Sequence, residues 1–357
     1  MKPLESLHEI LSLIDRPAFF VQEGALLLEN DAAKAWMLPL GSPVLPLISQ
    51  GQGDYLRFTD GCLSLMLTIG PREVLTTVRK LSGGDLFVLS TPEDSDVLRG
   101  LALAAQQLRG PLNEMLFTSE RLTPLLSRQE LQEARQGIAS MNRSLHQMMR
   151  LICNMSDAQQ GGGLPMELLD IPAVMGEIFD SAAALCAQLG VRLRFQNLPR
   201  ELFSLADSTR LERAVYNLIS NALKFSPRGT QIEAALTRSG SRLTLTVRNA
   251  IDPELGSCGD LFSRFLREPA LEDSRNGLGL GLHIIQQTAA LHGGTVLLRR
   301  TEQGEMLVSF GMAIRQDSGS LHAPVRRVDY AGERSHALVE LSELLPEELY
   351  LFPEHPL

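Results

Sequence analysis

The sequence predicts a multidomain α+β protein. A small mixed α/β domain comes first. A long helical hairpin follows, which pairs with a second copy as a four-helix bundle, and an α/β sandwich comes after it. Three observations carry this expectation. The stretch Asn276–Gly294, NGLGLGLHIIQQTAALHGG, is a glycine-rich segment that opens directly onto a helix. Upstream, Glu212–Pro227, ERAVYNLISNALKFSP, reads as a helix with two asparagines on one face. Between residues 94 and 157 apolar side chains step by three and four, as a helical seam requires.

Bulk properties narrow the function classes. The chain has 357 residues, a formal net charge of −9 and 44% hydrophobic residues, enough for real cores in more than one domain. An acidic balance without a basic block argues against nucleic acid and anionic membrane as partners. Cys62, Cys153, Cys186 and Cys258 lack CxxC spacing, so reduced thiols are expected rather than a disulfide frame or zinc site. The opening MKPLESLHEI has no apolar signal-peptide core, and no run reaches the roughly 18 apolar residues of a membrane span. A cytoplasmic location is the expectation.

Residues 1–92 alternate short strands and helices. Ala18–Val21, Ala25–Leu28 and Leu86–Leu89 are apolar, β-leaning runs between turn residues, and Asn30 heads the first helix. Residues 93–158 form the hairpin. Leu98, Leu101, Ala105, Leu108, Leu112, Met115 and Leu122 make one seam. Leu131, Ala134, Ile138, Met141, Leu145, Met148, Ile152 and Met155 make the other, with a turn near Ser127–Gln129. So narrow a seam is poorly buried alone, which predicts a homodimer. Gln159–Pro165, QQGGGLP, is a hinge.

Residues 165–314 form the sandwich. Ile171–Gln188 reads as a helix, Val191–Phe195 as a strand and Asp207–Phe225 as a helix capped by Asp207. Ile232–Leu236 and Leu243–Val247 alternate as paired strands. His283–His292 is a helix stopped by Gly293-Gly294, and Thr295–Leu298 and Met306–Phe310 complete the sheet. Residues 315–357 are a linker and an acidic tail. Its Leu338, Leu341, Leu345 and Leu349 lie at helical spacing, which suits packing on the body better than docking a partner.

The chemistry lies in the second half. Asn217 and Asn221 are four residues apart and share a helix face, with Lys224 just beyond. An amide oxygen can ligate a hard cation such as Mg²⁺, and an ammonium can pair with phosphate. Alone, the same residues could be polar positions on an ordinary helix. Gly277, Gly279 and Gly281 permit close approach of backbone amides to an anion at the positive end of the following helix.

Taken together these motifs resemble the ATP-binding catalytic domain of sensor histidine kinases, the GHKL type. Asn217–Lys224 is similar to the family's asparagine box. Phe262 and Phe265 in LFSRFLR are similar to its phenylalanine box, and Gly277, Gly279 and Gly281 to its second glycine box. The resemblance spans about residues 94–314 and includes the hairpin. It implies ATP and Mg²⁺ as cofactors. Asn221 would hold the metal, Asn217 and Lys224 would contact phosphates, and the glycines would wrap the triphosphate. The segment DRPAFFVQEGALLLENDAAKAWML resembles the opening of a PAS domain, although any small α+β domain would read similarly.

Two departures stand out. The family's first glycine box reads Asp-x-Gly-x-Gly, with the Asp accepting from the adenine amino group. Here Arg248-Asn249-Ala250-Ile251-Asp252 follows the strand, so Asn249 stands at the Asp position without its charge and the glycines that admit adenine are absent, which implies nucleotide binding at reduced affinity or its loss. The family's first bundle helix reads His-Glu-Leu-Arg-x-Pro-Leu. This chain reads Gln106-Gln107-Leu108-Arg109-Gly110-Pro111-Leu112. Gln106 takes the phosphoacceptor position and Gln107 the general-base position. A carboxamide supplies neither a nucleophile nor a base, which leaves no catalytic residue at either position. His146, His283 and His292 sit in no phosphotransfer context.

The expectation is a homodimeric two-component protein that binds ATP without autophosphorylating, a regulatory scaffold for a response regulator or partner kinase. An active kinase with another acceptor, or one acting on a partner, is the alternative. A GHKL ATPase or anti-sigma-like kinase is a third reading, against which the hairpin and the Leu-Arg-x-Pro-Leu motif both count.

Overall fold

The computed structural model describes residues 8, 11–81, 83–90, 108, 112–113, 115–119, 132–159, 166–197, 202–251, 280–315 and 335–351. The turn at Ser127–Gln129, residues 160–165 of the hinge, Phe262, Phe265 and the linker after Arg315 lie outside these residues; Gln159 itself ends a helix.

The N-terminal part is an antiparallel sheet with short helices. Strands β1 (Ala18–Gln22) and β2 (Ala25–Glu29) lead into helix α1 (Asp31–Lys34). Asn30 caps that helix as expected and does more. Its Oδ1 accepts the amides of Ala18 and Ala33, both at 3.0 Å. Its Nδ2 donates to the carbonyls of Ile14 at 2.8 Å and Arg16 at 2.7 Å. One buried side chain thus satisfies backbone groups from three segments. Strand β3 (Ile48–Gln50) and helix α2 (Gln52–Arg57) follow. Strands β4 (Cys62–Ile69), β5 (Arg72–Leu81) and β6 (Gly84–Leu89) complete this part, whose own core is built on Phe19, Phe87 and Leu65.

Helix α3 (Gln132–Gln159) covers the second of the two predicted seams. In the stretch of the first seam, residues 112–113 and 115–119 are helical, and Leu112 and Leu116 pack with Leu145, Met149 and Ile152 of α3.

The second half is a layered α/β unit. Helix α4 (Ile171–Gln188) begins with Pro172 in its first turn, where a missing amide donor costs nothing. Helix α5 (Ser208–Phe225) is capped by Asp207, which accepts the Arg210 amide at 3.1 Å. With α6 (Leu280–Leu291), these helices cover a sheet of β8 (Arg192–Asn197), β10 (Gln231–Ser239), β11 (Arg242–Asn249), β12 (Val296–Arg300) and β13 (Met306–Ala313). Strands β7 (Glu167–Asp170) and β9 (Phe203–Ala206) form a separate antiparallel pair. The shared core includes Phe179, Leu211, Ile219, Leu245 and Phe310, with Phe179 stacked on Phe195 at 4.3 Å. Cys62, Cys153 and Cys186 form no disulfide, and burial pushes the Cys186 thiol up to about 12, which makes it inert.

The two sheets are hydrogen-bonded into one. Strand β4 pairs antiparallel with β12, Val296 opposite Ser64 and Leu298 opposite Cys62. Gln50 donates to the Gly294 carbonyl at 2.7 Å, and Asp54 meets Arg242 at 2.6 Å and the Thr295 hydroxyl at 2.5 Å. The edge strand β12 is therefore covered by the N-terminal sheet rather than left open.

The tail corrects one expectation of shape. Its leucines do pack on the body: Leu341 and Leu345 are fully buried in the core of the second half. They do not share one helix. Helix α7 (His336–Glu340) ends in turns, and a separate 3₁₀ turn spans Glu347–Tyr350 after Pro346. Proline disfavours the helical conformation of Leu345 before it and removes a donor.

Candidate functional site

The asparagine face of α5 is turned inward. Asn217 is buried at 1% exposure and its Nδ2 donates to the Arg213 carbonyl at 2.9 Å. Its Oδ1 faces Gly281 in the first turn of α6. Asn221, one turn on, is half-buried, as is Lys224. Gly281 lies against Asn217: a Cβ built on Gly281 would stand 2.5 Å from Asn217 Oδ1. The structure thus brings together one glycine of the expected lid and one asparagine of the helix, and it explains why that position carries no side chain. Gly277, Gly279, Gln106 and Gln107 lie outside the described residues.

Asn249 ends β11, opposite Met306 of β13, and is buried at 3% exposure. Its Nδ2 donates to the Ala250 carbonyl at 2.7 Å. The amide is therefore anchored to the turn after the strand, with Oδ1 as its acceptor.

Among the described residues, His146, His283 and His292 each have a polar partner close by. The place beside the seam residue Leu145 predicts a solvated position for His146. It is instead buried, its Nδ1 is 2.8 Å from the Asn142 carbonyl, and its ring meets Tyr350 edge-on at 4.9 Å. The tail that covers it gave no sequence signal for this contact. His283 pairs with Gln287 at 2.8 Å. His292 accepts the Asp207 amide at Nε2, 3.0 Å, and Nδ1 lies 2.7 Å from the Thr288 carbonyl. That pattern requires the neutral ring with its proton on Nδ1.

Burial lowers the His292 pKa, against the opposing pull of Thr288 and Asp207. The unfolded chain therefore binds this proton more readily than the folded one. The stabilising contribution is present above the ordinary histidine value of about 6.5 and is lost as pH falls through it. Melting temperature is expected to decline between about pH 7 and pH 5, and His292→Gln should flatten that part of the profile. A decline of equal size in the variant would assign the dependence elsewhere.

Sequence reasoning missed the charged residues around Lys224. Its Nζ lies 2.5 Å from Glu343 of the tail. Arg150 of α3, nearly buried, reaches Glu343 at 3.0 Å, Glu340 at 3.4 Å and the Ser220 hydroxyl at 3.2 Å. Burial raises the Glu343 carboxyl, but Arg150 and Lys224 outweigh it and hold the group below the ordinary glutamate range. These partners are distant in sequence and follow no local period.

Residues 206–316 match the family described as histidine kinase-, DNA gyrase B- and HSP90-like ATPase. The helix with Asn217 and Asn221, the buried Asn249 and the Gly281 contact all fall within that stretch, which is an ATPase domain of this class. Among curated proteins, the chain is 29% identical over 213 residues to the sensor histidine kinase CusS of Escherichia coli O6:H1, covering 57% of this chain and 43% of that protein. It is 29% identical over 203 residues to the sensor-like histidine kinase SenX3 of Mycobacterium bovis, covering 55% and 48%. Among solved structures, full-length ShkA in complex with AMPPNP aligns at 20% identity and a TM-score of 0.47, covering 62% of this chain and 47% of that one. The chain is similar to sensor histidine kinases and carries an ATPase domain of their class. It spans under half the length of these curated relatives. No helix among the described residues is long and apolar enough to cross a membrane.

Proposed function

We propose that this protein binds Mg-ATP without phosphorylating itself and acts as a homodimeric regulator in two-component signalling. The observation that carries the reading is Gln106-Gln107 within Leu108-Arg109-Gly110-Pro111-Leu112. Both groups that phosphoryl transfer needs are carboxamides, while the asparagine box and the second glycine box are retained. Asn221 holds Mg²⁺, Asn217 and Lys224 meet the phosphates, Asn249 accepts from adenine, and Gly277, Gly279 and Gly281 wrap the triphosphate. The close approach of Gly281 to Asn217 supports this cradle.

Residues 1–92 serve as a PAS-like sensory domain, 93–158 as the dimerisation hairpin, 165–314 as the ATP-binding domain and 315–357 as linker and tail. Leu108, Met115, Met141 and Met148 belong to the predicted seam and are 42–51% exposed in one protomer, which supports burial against a second copy. A response regulator or a partner kinase is the client. Transfer to a partner's histidine is the second reading, favoured by the retained asparagine box.

Incubating the purified chain with γ-labelled Mg-ATP should leave no acid-labile, base-stable label after denaturation. Such label would overturn the reading, and label appearing only on an added partner would favour the second.

A further inference from the structure

The tail is built into two elements at once. On the α3 side, Arg143 donates to the carbonyls of Ser342 at 3.2 Å and Glu343 at 3.1 Å, and Gln147 to that of Ser342 at 3.1 Å. Asn142 donates to the Tyr350 carbonyl at 2.8 Å. On the α5 side, His336 meets Glu212 at 2.8 Å and Glu343 meets Lys224 at 2.5 Å. Within the tail, Ser335 caps α7 and the Tyr350 hydroxyl donates to the Leu338 carbonyl at 2.9 Å. Leu341 and Leu345 anchor it in the ATPase core, whereas Val339 packs with the hairpin. The segment thus ties the hairpin helix to the helix that carries Asn217 and Asn221.

Glu343, the acidic side chain on Lys224 among the described residues, stands where the proposed function places a phosphate. We propose that residues 335–351 form an autoinhibitory clamp in which Glu343 competes with the nucleotide's phosphates for Lys224. The inference rests on the ATP-site reading above. A phosphate that captures Lys224 leaves Glu343 only its bond to Arg150, and the tail loses a tie to α5. The Lys224 and Glu343 side chains are each 26% exposed, so their pairing is modest and within reach of a ligand's binding energy. Linkage makes the effect reciprocal: nucleotide loosens the clamp, and the clamp weakens nucleotide binding. Loosening it removes the tail's share of the ties between α3 and α5, leaving direct bonds such as Arg150 to Ser220.

Two measurements on the full chain test this. Hydrogen exchange of residues 336–345 should speed up when Mg-AMPPNP is added. Glu343→Gln should bind Mg-ATP about five- to tenfold more tightly than the parent chain. Unchanged exchange at saturating nucleotide, or equal affinity of a folded Glu343→Gln, overturns the clamp while leaving the ATP site intact. Should the variant not fold, exchange in the parent chain decides. Binding by neither chain removes the ATP-site reading and the clamp with it.

Discussion

Asn221→Ala is expected to weaken Mg-ATP binding at least tenfold, and up to about a hundredfold, in titration calorimetry. The expected loss follows from chemistry at one atom. Mg²⁺ takes oxygen ligands in near-octahedral geometry, and alanine removes the amide oxygen proposed to supply one. The fold should survive, because the position is half-buried on a regular helix turn and alanine is a better helix former than asparagine. An unchanged melting temperature alongside lost binding would separate the site from the scaffold. Unchanged affinity would move the metal away from α5.

Gly294→Ala is expected to produce the largest loss of stability, about 3 kcal/mol. A Cβ there would stand 1.8 Å from the Gly311 carbonyl oxygen and 2.8 Å from the Met312 amide nitrogen, all backbone atoms of β13. Nothing at that contact can rotate away, so either β13 shifts or the turn opens. The neighbouring Gly293 has φ of +71 and serves as the left-handed stop of α6. The two glycines read from sequence as one helix stop thus have different causes, one conformational and one steric. The Gly294 carbonyl also accepts from Gln50, so the damage should reach the junction between the sheets. Chemical denaturation would check the magnitude, and a loss below about 0.5 kcal/mol would mean that the backbone yields cheaply there.

Local signals were legible and long-range ones were not. Helix α4 has the bounds that its apolar spacing predicts, and Asp207 and Asn30 cap the helices they precede. Each rests on contacts within a few residues. Strand β4 escaped because CLSLMLTI lies between partners near the middle of the sheet, buried along most of its length. Burial on both faces erases the alternation that marks a strand. The pair β7 and β9 is short and lies far apart in sequence. The junction of β4 with β12 joins backbone edges, which no side-chain pattern encodes.

The site divides the same way. Asn217 and Asn221 follow helical spacing, and the motif order points to the glycines. The Lys224–Glu343–Arg150 cluster brings three segments together through folding alone. His146 was misplaced for the same reason, since the tail that buries it is remote in sequence.

The central claim is nucleotide binding without self-phosphorylation. Mass spectrometry of the full chain after incubation with Mg-ATP, under native and then denaturing conditions, tests it most directly. The account predicts a native species carrying nucleotide that returns to the unmodified mass on denaturation. A covalent phosphate surviving denaturation would contradict it, as would a native spectrum without bound nucleotide at saturating Mg-ATP.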